Sequence, residues 1–221
     1  ADGSPVTAAD RAAETFLREE INQRFPGHGV LGEEFGEENP GASVRWILDP
    51  IDGTASFMRG VPLFGTLIGV EVEGVASVGV VHLPALKETV AAALGHGCHW
   101  NGSPARVSEV ADIARAVVLT SDPAAFIDDP PTRGWNQLMR RASLARGWGD
   151  CYGHVLVATG RAEVMLDPVL SPWDAAPFSP ILKEAGGMFT DMEGVQRLDG
   201  GSGLSTNGVL HGAVLTLIQG D

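Results

Sequence analysis

The apolar run Trp46-Ile47-Leu48 leads straight into Asp49-Pro50-Ile51-Asp52-Gly53-Thr54, which limits the possible folds more than any other stretch. The run reads as the end of a buried strand, followed by two carboxylates three residues apart at a tight turn. Pro50 fixes its own φ and pushes Asp49 towards extended backbone. Gly53 lets the main chain approach another group closely. Thr54 and the following Ala55-Ser56-Phe57-Met58 can open a short helix whose free N–H groups face the same point as the carboxylates. Hard oxygen ligands beside a helix start suit a divalent cation and a phosphate together. An ordinary Asp/Pro/Gly turn is the competing reading.

The 221 residues fit one large domain or two closely joined halves. With 44% hydrophobic residues and no low-complexity tract, a sizeable core is expected, and 29 glycines suit many tight turns between strands. No apolar run approaches the about 18 residues that a membrane helix needs. No signal-peptide pattern is visible either. The chain starts at Ala1 without methionine, so a segment ahead of it is expected. A net charge of −13 leaves no basic stripe for nucleic acid. An acidic chain that attracts a phosphate needs a local cation. Cys98 and Cys151 form no CxxC pattern, which points away from a zinc site or disulfide framework and towards a reducing cytoplasm.

Residues 7 to 24 read as an amphipathic helix with Ala9, Ala13, Phe16, Leu17 and Ile21 on one stripe, ended by Pro26-Gly27. Thr7 and Asp10 make a capping-box pair. Asp10 either serves only as that cap or projects inward beside the stripe. After Val30-Leu31 comes Gly32-Glu33-Glu34, where a short strand could end beside the one that delivers Asp49. Short apolar runs from Phe64 to Val81, broken at Glu73-Gly74, read as a hairpin. Further strands at 91–94 and 105–108 flank the turn Asn101-Gly102. The first half thus reads as an antiparallel sheet with helices against it, and His82, His96 and His99 as structural.

Residues 121 to 136, rich in Asp and Pro, read as a loop between the halves, which divide at 1–115 and 116–221. The second half alternates a strand at 116–119, a helix at 137–142 and a helix from Tyr152 to Thr159 with Gly160 at its end. A strand at 162–166 runs into Asp167-Pro168. A helix then opens at Pro172-Trp173-Asp174, bends at Pro180 and closes at Gly186-Gly187. Asp174 has the position of an ordinary N-cap residue. The class is α+β.

Gly32-Glu33-Glu34, Asp49 to Thr54, and Trp173-Asp174-Ala175-Ala176, in this order and spacing, resemble the inositol monophosphatase superfamily of metal-dependent, lithium-sensitive phosphatases. The likeness covers nearly the whole chain. It implies a layered αβαβα sandwich of the inositol monophosphatase / fructose bisphosphatase type, usually a homodimer. Two or three Mg2+ ions are implied per site. Glu33, Asp49 and the Ile51 carbonyl would hold one, and Asp49, Asp52 and Asp174 a second, with Asp10 near a weaker third. The catalytic set would be Glu33, Asp49 and Thr54, with Glu33 and the Thr54 hydroxyl orienting the attacking water. Phosphate would meet Asp52 and the Gly53 and Thr54 amides.

The inositol-specific branch carries a small Gly-Thr-Ala-Ala stretch that suits a neutral polyol. Here stand Arg146-Gly147-Trp148-Gly149-Asp150-Cys151-Tyr152-Gly153-His154, similar to the histidinol-phosphate phosphatase branch. Its substrate, a small phosphate monoester, bears an ammonium and an imidazole that carboxylates can pair with. Asp150 and Asp167 are the candidate partners, with Trp148 either beside the substrate or packed in the core. The rival enzyme readings are an inositol-1-phosphate or broad sugar-phosphate phosphatase. Bisphosphate substrates are disfavoured, because the chain shows no added basic cluster for a second phosphate. A non-catalytic metal-binding regulator would have lost a ligand, or Glu33 or Thr54, and all are present.

Overall fold

A computed structural model describes residues 7–126 and 133–220. The elements follow in chain order. The first are α1 (Ala8–Arg24), β1 (Gly29–Gly32), β2 (Gly36–Glu38), β3 (Val44–Asp52) and α2 (Thr54–Met58). Next come β4 (Gly65–Val72), β5 (Val75–Leu83), β6 (Glu88–Ala93), β7 (Cys98–Trp100) and β8 (Ser103–Pro104). Then follow β9 (Val117–Thr120), α3 (Arg133–Arg141), β10 (Leu144–Arg146), α4 (Asp150–Ala158) and β11 (Val164–Asp167). The last are α5 (Pro172–Ala175), α6 (Phe178–Ala185), β12 (Met188–Thr190), β13 (Gly203–Thr206) and α7 (His211–Gln219).

Strands β1 to β8 form one sheet in the order β2-β1-β3-β4-β5-β6-β7-β8, and β9 to β13 a second in the order β10-β9-β11-β13-β12. Leu67, Val81 and Val90 of the first sheet pack with Val155 of α4, Ile181 and Leu182 of α6, and Leu119 and Met165 of the second. On the far side of the second sheet Val118, Leu166 and Leu204 meet Trp135 and Leu138 of α3 and Val214 and Ile218 of α7. On the outer face of the first, Ile21 of α1 packs on Val30 and Leu48. The layers therefore run α, β, α, β, α. No helix among the described residues is long and apolar enough to cross a membrane.

The first sheet is mixed, where an antiparallel one was expected: β1 and β3 run parallel. This pairing sets Gly32 opposite Leu48, so Glu33, just past the end of β1, follows beside Asp49 of β3. The Glu33 N–H donates to the Leu48 carbonyl at 3.2 Å. Between Asp49 and Asp52 the pairing of β3 with β4 shifts register. In a regular strand, residues three apart point to opposite faces. The bulge, at a proline with no N–H to offer a neighbour, returns both carboxylates to one side.

The inward face of α1 differs from the expected stripe. Asp10, Glu14 and Ile21 are buried, while Ala9 is exposed and Phe16 is 61% exposed. Apolar periodicity placed Leu17 and Ile21 inward correctly but misassigned Ala9 and Phe16, because two of the buried positions are acids with polar partners. After β8 the chain leaves the sheet rather than continuing as a strand to Ser108, and Val107 N–H donates to the Ala185 carbonyl at the end of α6. The expected helix over 172–185 is two helices that part at Ala176-Pro177, not one bent at Pro180. Pro177 cannot donate back to the preceding turn. Pro180 sits in the first turn of α6, where a missing N–H costs nothing. This break lies on β5: a Cβ at Gly79 would fall 2.1 Å from the Pro177 carbonyl oxygen. Helix α4 begins at Asp150, two residues before the expected start, and α3 begins at Arg133 inside the expected loop. The remainder of that loop, residues 127–132, lies outside the described residues.

Candidate active site

Three backbone devices bring acids to one point. The parallel ends of β1 and β3 supply Glu33 and Asp49, the bulge supplies Asp52, and the start of α5 supplies Asp174. Carboxylate oxygens of Asp49, Asp52 and Asp174 lie within 4.8 Å of one another. A cavity of about 210 Å³ is lined by these three with Glu33, Ile51, Gly53, Thr54, Ser171 and Trp173. A larger cleft of about 840 Å³ opens elsewhere, lined among others by Arg45 and Arg197. Both arginines are already ion-paired, to Glu71 and Asp191, and no group of three acids gathers there among the described residues.

The electrostatics of the small cavity are those of crowded like charges. Burial, followed by the charges of Asp52, Asp174 and Glu33, holds the Asp49 carboxyl well above its usual range. Burial and then Asp150 and Asp174 do the same to Asp52. Glu33 is pushed from 4.5 to about 7, first by burial and then by Asp174. Asp174 is also raised, chiefly by burial. Asp49 is 2% exposed, and its Oδ1 has no hydrogen-bond partner among the described residues. A buried acceptor without a donor, inside an all-oxygen cluster of mutually repelling acids, fits a hard divalent cation.

The surrounding contacts fix these acids. Cys151 N–H donates to Asp52 Oδ2 at 2.5 Å, and Ser171 N–H donates to Asp174 Oδ2 at 2.8 Å. The Thr54 hydroxyl donates to the Ile51 carbonyl at 2.8 Å and lies 3.4 Å from Asp10 Oδ1. Asp10 therefore has both roles left open by the sequence, since its Oδ2 accepts the Thr7 N–H at 2.8 Å as a cap.

The second sheet adds a further acid. Asp150 carries its carboxylate against the Asp49–Thr54 turn, where a Cβ on Gly53 would lie 3.1 Å from its Oδ2. Burial, then Asp167 and Asp174, raise the Asp150 carboxyl to about 6. Asp167 is only 3% exposed, with Oδ2 3.0 Å from His154 Nε2 and Oδ1 accepting the Ser121 N–H at 3.3 Å. Trp148 is 42% exposed, which excludes core packing, and it does not line the acid cavity.

Sequence reading missed several supporting groups. Glu14 is fully buried and accepts Arg18 Nε–H at 2.8 Å, Glu34 N–H at 2.8 Å and Phe35 N–H at 3.3 Å. It occupies the space where a side chain at Gly32 would be, with a Cβ there only 2.0 Å from its Oε1. The carboxylate thereby fixes the turn that carries Glu33. Its signal in the sequence was its spacing of one helical turn from Asp10. Ser171 and Trp173 as cavity walls, and Ser121 and His154 behind Asp150, had no comparable signal.

A sequence model of the inositol monophosphatase family matches residues 1–219. The chain belongs to the inositol monophosphatase family. Among its relatives in this family, the histidinol-phosphatase of Chlorobaculum parvum is 49% identical over 203 residues, 92% of this chain and 78% of that protein. The histidinol-phosphatase of Mycobacterium tuberculosis is 40% identical over 223 residues, 99% of this chain and 86% of that one. The structure of an inositol monophosphatase from Anabaena (Nostoc) sp. PCC 7120 superposes with a TM-score of 0.89 at 30% identity, covering 96% of this chain and 86% of that one.

Two outcomes follow for the family member studied without metal. A carboxyl raised in the folded protein, such as Glu33 at about 7 against 4.5, keeps a proton there that the unfolded chain releases. Folding stability must then fall as pH rises through that window. Melting curves in chelator should show Tm decreasing between those pH values, and the Tm gain from added magnesium should be larger at the upper end. Glu14→Ala strands two backbone N–H groups and removes one of the acceptors of the mostly buried Arg18. It should cost about 3–5 kcal/mol by urea unfolding and weaken magnesium binding in calorimetry.

Proposed function

We propose that this chain is a magnesium-dependent phosphomonoesterase that hydrolyses L-histidinol phosphate to L-histidinol and phosphate, a step of histidine biosynthesis. The observation that carries the substrate choice is the Asp150 carboxylate, set against the turn of the acid cavity, where it pairs more strongly with an ammonium than with the hydroxyls of a neutral polyol. The 49% identity to a histidinol-phosphatase supports the same choice.

Glu33, Asp49 and the Ile51 carbonyl would hold one magnesium, Asp49, Asp52 and Asp174 would hold another, and Asp10 would lie near a weaker third. Bound there, such ions would supply Lewis-acid activation of a water and charge stabilisation for the leaving group. The residues of the chain do the positioning. Glu33 and the Thr54 hydroxyl orient the water, and that hydroxyl is held by the Ile51 carbonyl at 2.8 Å with Asp10 Oδ1 3.4 Å away. The Gly53 and Thr54 amides hold phosphate oxygens beside Asp52. Asp52 is itself kept in place by the Cys151 N–H.

At the leaving-group end Asp150 pairs with the substrate ammonium. Its raised pKa reflects burial among other acids without a cation, and an ammonium reverses that effect. Asp167 lies behind it, and Trp148, exposed two residues before Asp150, is read as the aromatic neighbour of the imidazole. A homodimer and a cytoplasmic setting complete the reading, the latter supported by the free cysteines Cys98 and Cys151.

Phosphate release from histidinol phosphate and inositol 1-phosphate, measured in parallel, tests the proposal. Magnesium should be required and lithium should inhibit. The value of kcat/KM should favour histidinol phosphate by at least about tenfold, one charge-assisted hydrogen bond. Faster turnover of inositol 1-phosphate would sink the substrate assignment, and activity that survives chelation would sink the metal role. Asp150→Asn should lower kcat/KM for histidinol phosphate about 10- to 100-fold more than for inositol 1-phosphate.

A further inference from the structure

Strands β10, β9 and β11 run parallel, with Arg146 opposite Leu119 and Thr120 opposite Leu166. Their C-terminal ends therefore deliver the 147–149 segment, Ser121 and Asp167 to one edge of the sheet, the edge at which open α/β sheets bind ligands. Asp150 follows at once, with φ of +52°, a left-handed conformation that a residue with a side chain rarely adopts. Something must hold it there.

Ser121 is the group in contact. Its Oγ accepts the Asp150 N–H at 2.6 Å. The preceding residue presses on it as well: a Cβ at Gly149 would fall 2.1 Å from Ser121 Cα, so only glycine lets the two segments touch. Ser121 is itself anchored, since its N–H donates to Asp167 Oδ1 at 3.3 Å. Asp167 Oδ2 meets His154 Nε2 at 3.0 Å, and His154 Nδ1 meets Ser205 Oγ at 2.7 Å. His154 and Ser205 are fully buried and Asp167 nearly so. A polar column thus runs from β13 through α4 and β11 to Ser121, and ends at the Asp150 backbone. A buried polar chain with every member bonded is rigid, because breaking any link leaves an unpaired group.

We propose that Ser121 is a specificity-determining positioning residue, which fixes the Asp150 backbone so that its carboxylate meets the cationic part of the substrate. Ser121 touches neither phosphate nor metal in this reading, and acts only through Asp150. The inference rests on the histidinol-phosphate reading for the identity of that cationic group. It does not rest on it for the positioning itself.

The test is a double-mutant cycle on the full chain with magnesium, using Ser121→Ala, Ser121→Thr, Asp150→Asn and the Ala/Asn pair. KM and kcat are read for histidinol phosphate and inositol 1-phosphate, Tm is recorded for each variant, and histidinol binding is measured by calorimetry. Ser121→Ala should raise KM for histidinol phosphate about tenfold more than KM for inositol 1-phosphate. It should weaken histidinol binding by the same factor, and Ser121→Thr, which keeps the acceptor oxygen, should restore both. In the Asp150→Asn background Ser121→Ala should add nothing further, because coupled groups are non-additive. A purely structural role would instead raise both KM values alike alongside a lower Tm, and that result would overturn the proposal. Full additivity in the cycle would overturn it too. A wild-type preference for inositol 1-phosphate would overturn only the substrate reading; the cycle on that ester would still decide the role of Ser121.

Discussion

Mutual repulsion among acids governs this molecule. Asp49, Asp52 and Asp174 converge within 4.8 Å, with Glu33 beside them. Left to themselves these groups would move apart or keep protons, as their raised pKa values show. Only a stiff scaffold can hold them together until a cation neutralises them. The parallel β1–β3 pair, the bulge in β3 and the short α5 laid against the first sheet each fix one part of the cluster through backbone geometry. The apolar layers on both sides of that sheet keep those backbones in register.

The two sheets divide the chemistry. The first supplies Glu33, Asp49, Asp52 and the turn at Gly53-Thr54, and α5, laid against it, supplies Asp174. The second supplies, from its parallel strand ends, the segment that ends in Asp150. Among the contacts that join the two, the Cys151 N–H donates to Asp52. The start of α4 thereby fixes a cavity acid and places Asp150 with the same turn of chain.

Much of this was legible in the sequence, for a physical reason. Proline, glycine and aspartate at a strand end restrict local backbone so strongly that Asp49 to Thr54 could be placed as a turn into a short helix. The hairpin at Glu73-Gly74 was readable likewise, with both residues at positive φ. Misreadings arose where the deciding contact is distant in sequence. Phe16 was assigned inward on apolarity, whereas Glu14 takes that side because two amides some twenty residues away need an acceptor. The split of the 172–185 helix falls at Pro177, whose missing N–H is a local signal that was assigned to Pro180 instead; only its close approach to β5 is non-local. The strands β12 and β13 and the helix α7 gave too weak a periodicity to be read at all.

The sequence by itself determined the family and the acids of the cavity, since these depend on residue types at short spacing and on three motifs in order. Tertiary structure alone decided that Asp10 serves both its cap and Thr54, that Glu14 supports the turn of Glu33, and that Asp167 lies behind Asp150. It also decided that Ser121 holds Asp150 in place. These pairings join residues 20 to 46 positions apart. Their reason is burial: a polar atom removed from water must find its partner wherever the packed layers put one.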